Sequence, residues 1–340
     1  MVTRDNLVAN QLQAPWGPAT SRFIEVHGSR VRVLQQGAGE PVLFLHGVGG
    51  WAEHWRVALP AVARAGFRAI ACDLPGFGRS APPGQVHYLD PPDPYYARFV
   101  RDLVERLGTG RVNLVGHSLG GAIAAVTAIR FPEIVQRLVL VAPGGFGRAL
   151  TPHLRLCGLP LFQQAARVAP ESLVRRFIRG DFHDPARMPG WFYEDALRYF
   201  RAGAAAEVGR VMSQLVTLRG PRRSLREAWL KRAADIPCPT LIVWGRNDRT
   251  VPMADLGLFT SIPDVRAQVI EGAGHLVMME QPAPFLEGLV PFLKDQRPKS
   301  RATTLSTMVS TSDRTRQVAM GMNTGLPIRT SPGRWPNHRN

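Results

Sequence analysis

The stretch Gly116-His117-Ser118-Leu119-Gly120 lies between the apolar run Arg111–Val115 (RVNLV) and the segment Ala122–Phe131 (AIAAVTAIRF). The first reads as a buried strand and the second as a helix, so Ser118 falls where one becomes the other. A G-x-S-x-G pentapeptide at a strand-to-helix turn is a common way to present a nucleophilic serine. Such a turn forces strained backbone angles on the serine, and Gly116, Gly120 and Gly121 let the chain pass without clashes. With 33 glycines in 340 residues, chance alone gives such a pentapeptide in roughly one of eight chains of this composition. Its context therefore carries the reading.

A serine hydroxyl is a weak nucleophile at neutral pH and needs a base to take its proton and a carboxylate to orient that base. Thr240–Gly245 (TLIVWG) reads as another β-branched strand, and it runs into Arg246-Asn247-Asp248. This places the Asp248 carboxylate just beyond a strand end. Ala267–Ile270 (AQVI) reads as the last strand and is followed by Glu271-Gly272-Ala273-Gly274-His275, a glycine-rich loop that lets the His275 imidazole reach across the sheet. Asp235 and Asp264 compete for the acid role but fall in connecting turns. His46 and His117 also lie inside motifs; His46 reads as packing for its loop and His117 as a neighbour of the turn. The chain order serine, acid, histidine belongs to one architecture and not to the chymotrypsin or subtilisin arrangements.

From about Phe23 to Phe292 these segments resemble the α/β-hydrolase superfamily. Three further motifs are similar to that family: Leu43-Phe44-Leu45-His46-Gly47-Val48-Gly49-Gly50, Asp73-Leu74-Pro75-Gly76-Phe77-Gly78-Arg79-Ser80, and Gly274-His275-Leu276 through Glu280-Gln281-Pro282. The resemblance implies an α/β-hydrolase fold, with a mostly parallel central sheet, helices on both faces and an inserted helical cap. It implies Ser118 as nucleophile, His275 as base and Asp248 as the acid that orients it. The backbone N–H groups of Val48 and Leu119 would be the oxyanion-hole donors. The Asp73 loop would be structural. Haloalkane dehalogenases and most epoxide hydrolases of the superfamily carry aspartate at the turn, so Ser118 disfavours both. Hydrolysis of a carboxylic ester with a hydrophobic arm is the leading expectation.

Carbon–carbon bond hydrolases of the meta-cleavage product type are the runner-up, and Pro143-Gly144-Gly145 after a strand is similar to them. They commonly carry tryptophan after the catalytic histidine, where this chain has Leu276. Thioesterase, lactonase, perhydrolase and acyltransferase activities use nearly the same parts. A ligand-binding or accessory protein on the same fold is the non-enzymatic alternative; an intact triad argues against it.

Strands Phe23–Val26, Val31–Leu34, Val42–Leu45, Ala69–Cys72, Val112–Val115 and Leu138–Val141 alternate with helices, as in a parallel sheet covered on both faces. The alternation stops near Phe146 and resumes at Pro239. The expected organisation is a first core part over 1–145, a helical cap over 146–236, a second core part over 237–296 and a disordered basic tail over 297–340. The cap includes helical runs Glu171–Ile178, Tyr193–Ala202 and Ala204–Leu218. Trp191, Phe192, Tyr193 and Phe200 could line a pocket beneath it, as could Leu276, Met278 and Met279. For each, core packing is the favoured reading.

The formal charge of +16 is uneven. Residues 146–236 hold 16 basic against 8 acidic side chains and residues 297–340 hold 8 against 1, so the catalytic core is close to neutral. The basic residues of the middle segment interleave with acids at helical spacing, which fits a solvated face better than a nucleic-acid footprint. An anionic substrate or a membrane surface remains compatible with a basic rim. No secretory signal or spanning segment is read at the start of the chain, and the cytoplasm is the expected location. Cys72, Cys157 and Cys238 fit neither a disulfide framework nor a zinc pattern. No metal and no cofactor are assigned; the expected partner is a small acyl substrate.

Overall fold

Runs of Val, Ile, Leu and Ala without a polar alternation can pair only where both faces are covered, and such runs form the centre of the sheet here. In chain order the strands are β1 (Thr20–Val26), β2 (Ser29–Gln36), β3 (Glu40–Leu45), β4 (Phe67–Cys72), β5 (Val112–His117), β6 (Val135–Val141), the two-residue pair β7 (Val216–Thr217) and β8 (Gly220–Pro221), then β9 (Thr240–Gly245), β10 (Val265–Ile270) and β11 (Thr307–Ser310). This computed structural model describes residues 19–91, 93–148, 150–295 and 307–310. Apart from the β7–β8 hairpin the strands form one sheet of order β1-β2-β4-β3-β5-β6-β9-β10-β11. β2 runs antiparallel to β1 and β4, and the remaining neighbours are parallel.

Helices cover both faces, as the α/β reading requires. On one face α1 (Ala58–Arg64) and α11 (Pro282–Lys294) pack Leu59, Val62, Phe285 and Leu289 against Phe44, Val115 and Val243. On the other, α2 (Tyr95–Arg106) and α3 (Leu119–Arg130) pack Phe99, Leu103, Ile123 and Val126 against Leu43, Leu114 and Leu140. Pro282 occupies the first turn of α11, just after the one-turn helix α10 (Val277–Glu280), where its missing N–H costs nothing.

Between β6 and β9 the alternation gives way to α4 (Pro152–Leu156), α5 (Phe162–Arg167), α6 (Glu171–Arg179), α7 (Gly190–Tyr199), α8 (Ala205–Leu215) and α9 (Arg223–Leu230). At the far edge of the sheet, within the stretch read from sequence as a disordered tail, Thr307–Ser310 pairs in parallel with β10. The rest of that tail lies outside the described residues.

Two features position the site. The chain steps from β3 outward to β4 and then back to β5 on the other side of β3, so the loops after β3 and β5 diverge. In open α/β sheets a crevice at the carboxyl ends of such strands is where ligands bind. The second feature is a buried ionic brace beneath the loop after β3. The Arg32 guanidinium donates to Glu53 at 2.7 and 3.1 Å and to Asp73 at 3.4 Å. Asp73 also accepts the backbone N–H groups of Ala52 (2.7 Å) and Arg79 (2.8 Å). Burial alone would lower the Arg32 pKa, but the two carboxylates outweigh it and raise it. Removing Arg32 would leave both buried carboxylates without their cation, a cost of about 3–5 kcal/mol.

Candidate active site

Ser118 ends β5 with φ 52° and ψ −114°, a left-handed conformation that a side chain adopts only when the surrounding structure enforces it. The enforcement is visible in its backbone bonds. Ser118 N donates to Val141 O at 2.9 Å, and its carbonyl accepts from Ala122 N and Gly144 N, both at 3.0 Å. The two glycines of the pentapeptide are required by contact. A Cβ on Gly116 would lie 2.1 Å from Gly120 O, and one on Gly120 would lie 2.4 Å from Leu45 O. The turn is thus wedged against β3, with the serine side chain at the carboxyl edge of the sheet.

His275 follows β10, and its Nδ1–H donates to Asp248 Oδ2 at 2.8 Å across the loop ends of β9 and β10. The other Asp248 oxygen accepts the backbone N–H groups of Thr250 (2.8 Å) and Val251 (2.9 Å), so the carboxylate is fixed in plane. This bond makes Nδ1 the donor and leaves Nε2 as the acceptor nitrogen. Burial would lower the His275 pKa; the Asp248 carboxylate, with a smaller contribution from Asp181, overcomes this and raises it above the ordinary imidazole value. Ser118 and His275 open onto the same cavity, of about 500 Å³. Asp235, the competing carboxylate, is paired with Arg232 at 2.9 Å, and Asp264 sits in the turn before β10, where its carbonyl accepts Thr240 N. Neither lines the cavity.

Val48 borders this cavity and a second, smaller one of about 70 Å³, and Leu119 borders the smaller. Ser118 touches both cavities. The Val48 loop is held by His46, which donates from Nδ1 to Gly47 O at 2.7 Å and accepts Leu74 N on Nε2 at 2.9 Å. Full burial pushes its pKa down to about 4, which keeps the ring neutral so that it can do both. His117 donates to the His275 carbonyl at 3.0 Å and supports the loop from below.

No role was legible from the sequence for two residues at the site, Asp181 and Glu280, although Glu280 falls inside the segment quoted after His275. Asp181, between α6 and α7, accepts His275 N on its backbone carbonyl at 2.8 Å and Thr250 Oγ1 on its carboxylate at 2.7 Å. Desolvation raises its pKa, and His275 and Thr250 pull partly the other way. Glu280 is buried and accepts three backbone donors, Gly274 N (2.7 Å), His183 N (3.1 Å) and Asp184 N (2.6 Å). That carboxylate ties the helical insert to the loop that carries His275.

Of the aromatic candidates in the insert, Phe192 and Phe200 line the larger cavity. Phe192 also stacks on Trp51 with centroids 5.3 Å apart. Trp191 and Tyr193 do not reach the cavity; the Tyr193 hydroxyl donates to Glu171 at 2.9 Å. Leu276 lines the cavity, whereas Met278 and Met279 are packed in the core.

A family description for the α/β hydrolase fold matches residues 40–282. The chain belongs to the α/β hydrolase family. Among curated relatives, the 2-hydroxy-6-oxo-6-phenylhexa-2,4-dienoate hydrolase of Comamonas testosteroni is 32% identical over 272 residues, covering 77% of this chain and 90% of its own. Among solved structures, a serine hydrolase involved in carbazole degradation is 25% identical with a TM-score of 0.66, covering 82% of this chain and 99% of that one. The meta-cleavage product hydrolase of Pseudomonas fluorescens IP01 superposes with a TM-score of 0.65 at 24% identity, covering 80% and 97%, and is similar in fold. Among the described residues no helix is long and apolar enough to cross a membrane.

Proposed function

We propose that this α/β hydrolase is a serine esterase acting on a carboxylic ester with a long apolar arm. Ser118 attacks the carbonyl, His275 takes its proton on Nε2, and Asp248 holds the ring and stabilises the imidazolium. The N–H groups of Val48 and Leu119 meet the charge that develops on the carbonyl oxygen. Water then releases the acid from the acyl-enzyme. The observation that carries this reading is His275, bonded to Asp248, opening together with a serine held at positive φ onto one apolar chamber.

The relatives' activity offers a second reading, carbon–carbon bond hydrolysis. A dienoate substrate, as in the name of the Comamonas relative, bears a carboxylate. No arginine or lysine is found among the described residues lining either cavity at Ser118. Of the four histidines in the lining, burial lowers the pKa of His54, His117 and His153 and the fourth, His275, is the base, so a carboxylate taken in would meet no standing cation, which is costly in an apolar setting. The ester reading leads for that reason. The site faces a small molecule, no nucleic-acid partner is proposed, and we place the enzyme in the cytoplasm.

The test is hydrolysis of chromogenic esters of increasing acyl length by the wild type and by Ser118→Ala. The expected result is turnover that rises with chain length and falls by at least about 10³-fold in the variant. Turnover of a dienoate ketone and none of any ester would move the assignment to carbon–carbon hydrolysis.

A further inference from the structure

Eight large aliphatic side chains are exposed among the described residues, and five of them, Leu156, Leu159, Leu161, Val168 and Leu173, fall within eighteen positions of the helical insert. Val168 is 81% exposed and Leu161 73%. Isolated exposed leucines are ordinary, but a cluster of this size marks a surface that meets something apolar. Leu156, Leu159, Leu161 and Leu173 also line the chamber that holds Ser118 and His275. Those four leucines are therefore the rim of the chamber, with Val168 on the same helical stretch beside it, and apolar surface runs from solvent to the serine.

The charge along α4 to α6 is mainly basic. Residues 151–180 contain five arginines and one acidic residue, Glu171. Glu171 is occupied by Tyr193, Arg175 (3.5 Å) and Arg201 (3.2 Å). Arg176 and Arg179 are exposed on α6 and make no ion pair among the described residues; together with Glu171, Ser172 and Arg175 they border a shallow groove beside Leu173. Aliphatic side chains flanked by unpaired arginines match the two attractions an anionic bilayer offers, an apolar interior and a negative surface.

We propose that α4 to α6 dock this enzyme on an anionic lipid surface. Leu161, Val168 and Leu173 enter the headgroup boundary, Arg176 and Arg179 contact lipid phosphates, and the chamber mouth faces the bilayer. An acyl chain could then pass into the site without crossing water. The docking rests on the surface features and not on ester chemistry, and it is read by vesicle binding without turnover.

The full chain is sedimented with vesicles of phosphatidylcholine alone and with vesicles containing roughly 30% phosphatidylglycerol, at physiological salt. The wild type is expected to partition at least about tenfold better onto the anionic vesicles. Arg176→Glu with Arg179→Glu is expected to lower that binding about tenfold or more, and Val168→Asp about fivefold. Unchanged thermal unfolding, together with unchanged hydrolysis of a water-soluble short ester where that is detectable, would show that these variants are intact. Three results would each overturn the proposal. One is a wild type with no preference for anionic vesicles. Another is variants that bind like the wild type, which would assign binding to the basic segment after residue 296. The third is a dimer in solution that Val168→Asp disperses, which would make the rim an interface between two copies.

Discussion

The two walls of the active chamber are built on opposite rules. On the sheet side the polar groups that set the geometry are held from several directions: Asp248 by two backbone N–H groups and His275, Glu280 by three backbone N–H groups, Asp73 by two N–H groups and Arg32. On the side of the helical insert the walls are mainly Leu, Ala, Val and Phe, some of them exposed to solvent. Directional bonds fix atoms to within a fraction of an ångström, which acyl transfer requires. Apolar contact is non-directional and accepts a range of shapes. With Ser118 as the proposed nucleophile, the difference teaches that chemistry and substrate choice would fall to separate parts of one cavity, so a substitution on one side should leave the other function largely intact.

The sharpest way to break this division is on the sheet side. Asp248→Asn keeps the size of the side chain but removes the charge that holds His275 in its donor tautomer. It is expected to lower kcat on a preferred ester by about 10⁴-fold with little change in KM, as measured by steady-state kinetics. A large KM change instead would show that Asp248 shapes the substrate pocket.

Next in size is Glu280→Ala, which strips the acceptor from three N–H groups and unties the insert from the His275 loop. At about 1–3 kcal/mol for each buried donor left unsatisfied, the variant is expected to lose several kcal/mol in urea unfolding. Glu280→Gln, which keeps one oxygen acceptor, should recover part of that loss. Equal loss in the two variants would show that the bonds to Gly274, His183 and Asp184 contribute little.

On the insert side, Ala166→Phe places a ring in the chamber wall. The expected outcome is a preference for shorter acyl chains by a few carbons in a chain-length series, with kcat on the shortest esters within about threefold of wild type and an overpacking cost of about 1–3 kcal/mol. A uniform fall in kcat at every chain length would contradict the division of labour.

The smallest expected effect is on pH dependence. The Asp248 carboxylate, and less strongly Asp181, raises the His275 pKa against the opposing effect of burial. As the proposed base, His275 works only when neutral, so kcat/KM should rise with pH through a value above the ordinary imidazole pKa. Asp181→Asn removes the smaller of the two raising charges, lowers the His275 pKa and moves the acid limb to lower pH. A limb that moves upward would have the wrong sign for this electrostatic account.

These contrasts also explain what could be read from the sequence. The turn at Ser118, the strand before Asp248 and the loop before His275 are local patterns, each written within about ten residues. Asp248 and His275 bond over a separation of only 27 positions. Asp181 had no such pattern, and Glu280 lay inside the segment quoted after His275 without a role that the segment alone disclosed. Asp181 reaches Thr250 across 69 positions and Glu280 reaches His183 across 97, so their roles arise only when the insert folds back over the sheet. The insert itself was legible as helical, with α6 and α8 close to the expected runs, while the start of α7 at Gly190 precedes the run read from Tyr193. Glycine and proline broke its apolar spacing too often to fix the boundaries. At the far edge, Thr307–Ser310 lies in a stretch whose Ser, Thr and Arg content hides a four-residue strand, since an edge strand of that length needs only backbone pairing with β10.

The most direct test of the central claim is covalent labelling with an alkyl phosphonate ester, read by intact-protein and peptide mass spectrometry. An activated serine beside a general base reacts where an ordinary serine does not. The account predicts one adduct per chain, located on Ser118, absent in Ser118→Ala and strongly slowed in Asp248→Asn. A wild type that takes no label, or takes it at another residue, would contradict the assignment of Ser118 as the nucleophile.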